Sequence, residues 1–342
     1  MKKILTTIGL TILVIAGLFF YLKSFSTETY KAPQTVVKEI EPTPNIPLLF
    51  TGDIMLGRYV ETLMNNEGLD PFGTTTPFLK SHITISNLEG PIPEVHRPTP
   101  INGMTFSFPS TTPQFLKDHG VQAVSLANNH GFDKGRPGYE NTKKVLLDTG
   151  ISTVGAYDTT VPDYYQTFIG NTQVIVYGIN MISLSWDEDK ALVVTKSLQA
   201  AYPQAILVAF IHWGNEYDLT QGDEQRTFAH KLIDNGVDTI VGSHPHVVQG
   251  VEVYKNSPIF YSLGNFIFDQ YFSKDTEKGL TVEINTDGNN IVYKLIPVGS
   301  DRSQAFIAEG ELKQEILNTI VNSSEENIKE NIKKGEVIIN KK

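Results

Sequence analysis

The sequence predicts an α/β domain built on a mixed sheet or on two packed sheets. Three observations carry that expectation. Apolar, strand-like runs alternate with helix-spaced stretches from residue 46 onward, the alternation gives way to antiparallel hairpins, and six short polar motifs each follow an apolar run. In such sheets polar site residues collect at the carboxyl ends of strands.

The chain opens with Met1-Lys2-Lys3, followed by residues 4–22, a run of 19 without a charge. At about 1.5 Å per residue this run would extend roughly 28 Å, close to the hydrocarbon thickness of a bilayer. The two lysines place residues 1–3 in the cytoplasm, so 4–22 reads as a single-pass signal anchor in the cell membrane with the remainder extracytoplasmic. A cleaved signal peptide is the alternative. The length of the run and the bulky Leu18-Phe19-Phe20-Tyr21-Leu22 favour the uncleaved anchor. Residues 23–45 contain Pro33, Pro42 and Pro44 among Ser, Thr and Glu, a composition that buries too little apolar surface to order itself. They read as a linker.

The expected domain covers residues 46–300. Strands are predicted at 46–51, 83–86, 121–127, 151–155, 167–169, 174–179, 205–211 and 239–241. Helical spacing marks 59–66, 139–147 (stopped by Asp148-Thr149-Gly150) and 224–235. Hairpins are predicted for 251–254 with 259–263, and for 280–285 with 291–296. Residues 301–342 read as a polar, helix-prone tail.

Composition bounds the function. With 342 residues, 40% hydrophobic and 19% charged, the chain is an ordinary globular protein. Its net charge of -10, with Lys and Arg scattered, argues against a nucleic-acid partner, because phosphate backbones need a basic patch. The absence of cysteine excludes zinc-thiolate and iron–sulfur sites.

The six motifs are Thr51-Gly52-Asp53, Asn87-Leu88-Glu89-Gly90, Asn128-Asn129-His130, His212-Trp213-Gly214, Gly242-Ser243-His244-Pro245-His246 and Gly264-Asn265; they hold four of the eight histidines. Carboxylate, amide and imidazole donors gathered at strand ends suit a hydrolytic two-metal site. His244-x-His246 can meet two metals from one turn. Asp53 and Glu89 supply anionic ligands, and a bridging carboxylate offsets the repulsion between two cations. Asn129 is a neutral ligand candidate. His130 suits an acid or phosphate contact, with Asp133 placed to fix its tautomer. Each motif alone has a plainer explanation as a turn or cap; their joint order is the signal.

That order resembles the metallophosphoesterase (calcineurin-like) superfamily and, more closely, the capsule-biosynthesis CapA family associated with poly-γ-glutamate. The resemblance rests on the stretches 50–58, 87–91, 125–133, 212–217, 242–247 and 261–266. It implies a four-layer α/β/β/α sandwich of metallophosphatase type, with one or two divalent ions (Mn, Fe or Zn). In the implied arrangement Glu89 bridges, Asn129, His212 and His244 complete one metal, and Asp53 and His246 hold the other. His130 is the implied acid or phosphate contact. The implied activity is that of a hydrolase or transferase of capsule biosynthesis acting on a phosphoester or on an anionic γ-glutamyl polymer, with other synthesis or export proteins as partners. A non-catalytic polymer-binding component is the alternative.

Two positions depart from the broader superfamily. Met55 stands where Asp-x-His motifs place a histidine, and a thioether is a poor ligand for a hard cation. Glu89 replaces the usual bridging Asp. Both agree with the CapA subgroup. Arg58 is expected to contact an anion near the metals, Glu216 to support His212 as an outer carboxylate, and Trp213 and Tyr217 to pack the sheet edge or line a groove.

Overall fold

The computed structural model describes residues 45–155, 163–287 and 289–340. The expected anchor at 4–22 and all but the last residue of the linker lie outside the described residues. Among the described residues no helix is long and apolar enough to cross a membrane.

Strands β1 (Leu48–Ile54), β2 (Ile83–Leu88), β3 (Val121–Ser125) and β4 (Ser152–Val154) come first, then β5 (Tyr164–Ile169), β6 (Thr172–Asn180), β7 (Ile206–His212) and β8 (Thr239–Ser243). They are followed by β9 (Val251–Tyr254), β10 (Ser257–Phe260), β11 (Asn265–Ile267), β12 (Lys278–Thr286), β13 (Asn290–Asp301), β14 (Gln304–Ile307) and β15 (Glu336–Asn340). The α-helices are α1 (Arg58–Glu67), α2 (Thr76–Lys80), α3 (Thr112–Asp118), α4 (Gly135–Thr149), α5 (Glu188–Ala201), α6 (Asp223–Asp234), α7 (Gly310–Asn322) and α8 (Lys329–Lys334).

Two mixed sheets result. A nine-stranded sheet runs β14-β13-β12-β1-β2-β3-β4, with β11 pairing β1 and β15 pairing β13; a six-stranded sheet runs β5-β6-β7-β8-β10-β9. In the first, β1 to β4 are parallel neighbours; in the second, β6, β7 and β8 are. The carboxyl ends of each parallel set therefore fall together.

Strands covered on both faces must be apolar at every position, which is why the runs read as continuous. Along β7, Ile206, Val208 and Phe210 enter the core between the sheets, while Leu207, Ala209 and Ile211 face the opposite way. Leu48 and Phe50 of β1 join the inner core, and Leu49 does not. Phe50 meets Phe210 edge-on at 5.4 Å, and Thr239 Oγ1 bonds Tyr293 OH at 2.6 Å, so the sheets are in direct contact. The outer face of the nine-stranded sheet is covered by Val60, Leu63, Leu79, Leu116, Tyr139 and Leu146 from α1 to α4. Ala191, Val194 and Leu198 of α5 and Phe228, Ala229 and Leu232 of α6 cover the six-stranded sheet. The order is helices, sheet, sheet, helices.

The predicted helix stop is correct: Gly150 ends α4 in a left-handed conformation at φ 89°. The β9–β10 hairpin turns through Lys255 and Asn256, both at positive φ. Its second strand begins two residues earlier than expected and ends at Phe260, because β10 also pairs in parallel with β8. Helix α5 was not expected; Asp187 caps it by accepting the Lys190 N–H at 3.1 Å. Residues 301–342 are corrected most. They contain the expected helices, but β14 and β15 are strands of the nine-stranded sheet, and Ile316, Leu317, Ile320, Ile332, Val337 and Ile339 enter the inner core. The segment completes the domain and is no polar tail.

Candidate metal centre

Every motif residue expected to bind metal lies at a strand end where the two sheets meet. Asp53 is the penultimate residue of β1, Glu89 follows β2, Asn129 follows β3, His212 ends β7, and His244 and His246 follow β8. The nine-stranded sheet thus supplies both carboxylates, and the six-stranded sheet supplies three imidazoles.

Local sequence makes this approach possible. A Cβ on Gly52 would fall 2.0 Å from the Gly264 carbonyl oxygen, and one on Gly242 would fall 2.0 Å from that of Tyr261. Glycine is therefore required just ahead of Asp53 and of Ser243-His244. His244 and His246 occupy positive φ, at 97° and 59°. Such backbone costs about 1–3 kcal/mol per residue and persists where the surroundings impose it.

Donor atoms of Asp53, Glu89 and His212 lie within 4.8 Å of one another, as do those of Glu216, His244 and His246. This grouping differs from the implied split, which placed His244 with His212 and kept His246 with Asp53. Glu216, expected as an outer carboxylate, is instead beside His244 and His246. The two sets adjoin: His246 Nδ1 is 3.2 Å from Asp53 Oδ2 and its Nε2 is 3.6 Å from Glu89 Oε1. His212 Nε2 contacts Asn129 Oδ1 at 2.8 Å.

The donor set fits a divalent cation. Glu89 Oε1 and His244 Nδ1 are buried and, among the described residues, have no hydrogen-bond partner. Leaving such atoms unpaired costs on the order of 1–3 kcal/mol each, a cost that ligation would remove. Charge agrees. Burial holds the Glu89 carboxyl well above the usual range, with His246 opposing and Asp53 reinforcing the shift. Burial and the neighbouring imidazoles push His212 down and His244 down to about 4, which favours neutral rings able to ligate at pH 7. Burial also works against charge on His246, but Glu89 and Asp53 outweigh it and raise the ring to about 9. One proton on His246 thus partly answers the two carboxylates.

Asp133 takes its expected place: its Oδ2 accepts from His130 Nδ1 at 2.8 Å and from the Phe106 N–H at 2.5 Å. His130 Nε2 faces Glu89 Oε1 across 4.0 Å, and the ring stacks on Phe106 at 4.0 Å. Arg58 sits at the start of α1 with both its Nε and one amino group on the Asp269 carboxylate, its guanidinium 5.0 Å over Phe106. An anion contact is left to its second amino group, which lies near Met104. Trp213 is packing: it is fully buried and donates to the Tyr261 carbonyl at 2.8 Å. Tyr217 is exposed and lies 6.2 Å from the His246 ring. Met55 turns its sulfur to the Gly57 N–H at 3.1 Å.

Sequence reasoning gave no role to Asn87, Phe106 or Asp269. Asn87 Nδ2 donates to Asp53 Oδ1 at 2.8 Å and reaches Glu89 Oε2 at 3.4 Å, while its Oδ1 accepts from Asn128 at 3.0 Å. Asn87 stands in register beside Asp53 and Ser125 in parallel strands, a pairing visible only in the fold.

Two packed sheets that meet at a buried carboxylate–imidazole cluster define an α/β protein with a candidate metal centre. Residues 47–270 match the family described as bacterial capsule synthesis protein PGA_cap, and the chain belongs to that family. A capsule biosynthesis protein CapA of Bacillus anthracis is 31% identical over 275 residues, spanning 74% of this chain and 67% of the relative. A PGA biosynthesis protein CapA of Bacillus subtilis (strain 168) is 32% identical over 296 residues, spanning 78% and 75%. A probable polyglutamine synthesis accessory protein of Mycobacterium tuberculosis is 25% identical over 228 residues, spanning 57% and 60%. The family expected from the motifs is the family found, and the metallophosphoesterase-like superfamily is consistent with it.

Proposed function

We propose that this chain is a membrane-anchored, extracytoplasmic, metal-dependent hydrolase or transferase of capsule biosynthesis, acting on a phosphoester or on a poly-γ-glutamate chain. The observation that carries the reading is the buried set Asp53, Glu89 and His212, adjoining Glu216, His244 and His246. Relatives named for capsule and PGA biosynthesis support the process. Asp53, Glu89, Asn129, His212, His244, His246 and Glu216 would hold Mn, Fe or Zn. A divalent cation there supplies Lewis acidity at a phosphoryl or carbonyl oxygen. Asn87 braces both carboxylates. Asp133 ties up His130 Nδ1, so the proton available for a leaving group is the one on Nε2. Arg58, fixed by Asp269, adds positive charge beside the cluster without competing for it.

The test is metal analysis of the full chain and of H244A/H246A, paired with turnover of an aryl phosphodiester and a γ-glutamyl oligomer. Metal-dependent turnover that the double variant loses supports the reading; equal, near-zero metal in both proteins overturns it. A second reading, a polymer-binding component without turnover, is favoured by Met55, whose thioether engages Gly57 where a further ligand would stand. Metal retention with no turnover of either substrate would select it.

A further inference from the structure

A cavity adjoins the candidate metal centre at Asn129. Asn128 and Asn129 line one wall of this cavity of about 440 Å³, whose far side is formed by the segment after β6. That volume lies within the range of small-ligand pockets, about 300–1,000 Å³. Its chemistry contrasts with that of its neighbour. The lining contains Phe132, Tyr139, Asn180, Ser183, Ser185 and Trp186, and among the described residues it contains no charged side chain. Among the described lining residues a polyanion would find no cation to offset the desolvation of its carboxylates.

The aromatic groups are held in place. Phe132 stacks on Tyr139 at 4.4 Å, and Trp186 is fixed edge-on against Phe228 at 5.0 Å. The polar groups are uncharged donors with capacity to spare. Asn129 and Asn180 engage their side-chain oxygens, the first with His212 and the second with the Ile182 N–H. Among the described residues, neither amide nitrogen nor the Trp186 indole N–H has a hydrogen-bond partner. The hydroxyls of Ser183 and Ser185 bond each other at 2.8 Å on the open side. Flat apolar rings beside neutral donors match a ligand with C–H faces and many oxygen acceptors, the surface of a sugar ring.

We infer that this cavity is a subsite for an uncharged glycan segment, continuous with the metal centre through Asn129. It rests on the proposed function only in making that segment part of the substrate. The anionic group to be acted on lies at the metals, and the neutral sugar attached to it lies over Phe132 and Trp186. The inference narrows the substrate from a uniform γ-glutamyl polyanion to a molecule with one charged and one neutral part.

The two tryptophans allow a direct test, because Trp213 is fully buried and its indole is already bonded. Full-length protein with labelled indoles would be titrated with triacetylchitotriose and, separately, with tri-γ-glutamate. The expected result is a saturable shift of the Trp186 indole signal with the glycan alone. Asn180→Ala should weaken binding about tenfold, the worth of one net hydrogen bond. Trp186→Phe, read by calorimetry, should weaken it further while the Trp213 signal reports an intact fold. The same titration in H244A/H246A should give unchanged glycan affinity, which separates this subsite from the metal reading. A shift with tri-γ-glutamate alone, or with neither probe, overturns the inference.

Discussion

The two sheets contribute unequal halves of one centre. The nine-stranded sheet brings negative charge and amides through Asp53, Asn87, Glu89 and Asn129; the six-stranded sheet brings His212, His244 and His246. Asp53 and Glu89 group with His212 of the opposite sheet, whereas Glu216, His244 and His246, all on the six-stranded side, form an adjoining set. Carboxylates without imidazoles would be two buried like charges, and imidazoles without carboxylates would crowd one another's protonation. A cation bound here therefore ties the sheets together, and its binding free energy adds to the stability of their packing.

The largest effect should come from removing one half. H244A/H246A should lower Mn, Fe or Zn affinity by far more than tenfold and abolish the rise in Tm that added metal gives the unaltered chain. Loss measured by elemental analysis and calorimetry, without a change in Tm of the metal-free protein beyond a few degrees, would place the effect at the centre. An unchanged metal content would separate the imidazole half from ligation.

Next in size is a pH dependence set by the contact between halves. His246 is raised to about 9 by Glu89 and Asp53 against the opposing effect of burial, so the metal-free protein carries a proton that a cation must displace. Affinity should therefore rise with pH between 7 and 9, by up to about tenfold per unit, and flatten above 9. Titration calorimetry in two buffers of different ionisation enthalpy should show a proton released at pH 7.5. Metal uptake without proton release would contradict the pairing.

Asp133 acts from one side only. Asp133→Asn should keep metal content while lowering turnover roughly 10–100-fold, as loss of a group orienting an imidazole usually does. A loss of metal instead would make Asp133 part of the ligand scaffold. Its effect should show in kcat more than in KM.

The smallest effect separates Glu89 from a second carboxylate of the same sheet. Glu283 is held below its usual range first by its bond from His82 and then by Lys294, with burial opposing. A depressed folded-state value contributes stability above the unfolded value, near pH 4.5, and that contribution is lost as pH falls through the folded value. Glu283→Gln should thus cost under about 1 kcal/mol at pH 7 and nothing in strong acid. Urea denaturation at pH 7 and pH 3 measures the difference; an equal cost at both would mean packing rather than charge.

Much of this arrangement was legible in the chain. Each candidate ligand follows an apolar run, and a run buried on both faces reads as a strand whose last residue stands at the sheet edge. That is why Asp53, Glu89, His212 and His244 stand out as candidates in the sequence. What escaped depends on contacts between distant segments. The grouping of Glu216 with His244 and His246 follows from how the sheets pack, and no spacing along the chain encodes it. Strand β15 is a short apolar alternation in a Lys-rich stretch, and it becomes a strand because β13 offers an open edge. Helix α5 opens with Glu188, Asp189 and Lys190, which hide the face formed by Ala191, Val194 and Leu198. Phe106 lies in a segment without regular structure, and its stacking on His130 is visible only in space.

The central claim is that both sheets ligate one centre. Anomalous diffraction at the manganese and zinc edges, from crystals of the chain equilibrated with each metal, tests it most directly. The account predicts a peak within bonding distance of Asp53 or Glu89 on one side and of His212, His244 or His246 on the other. A peak confined to residues of one sheet, or none at saturating metal, would contradict it.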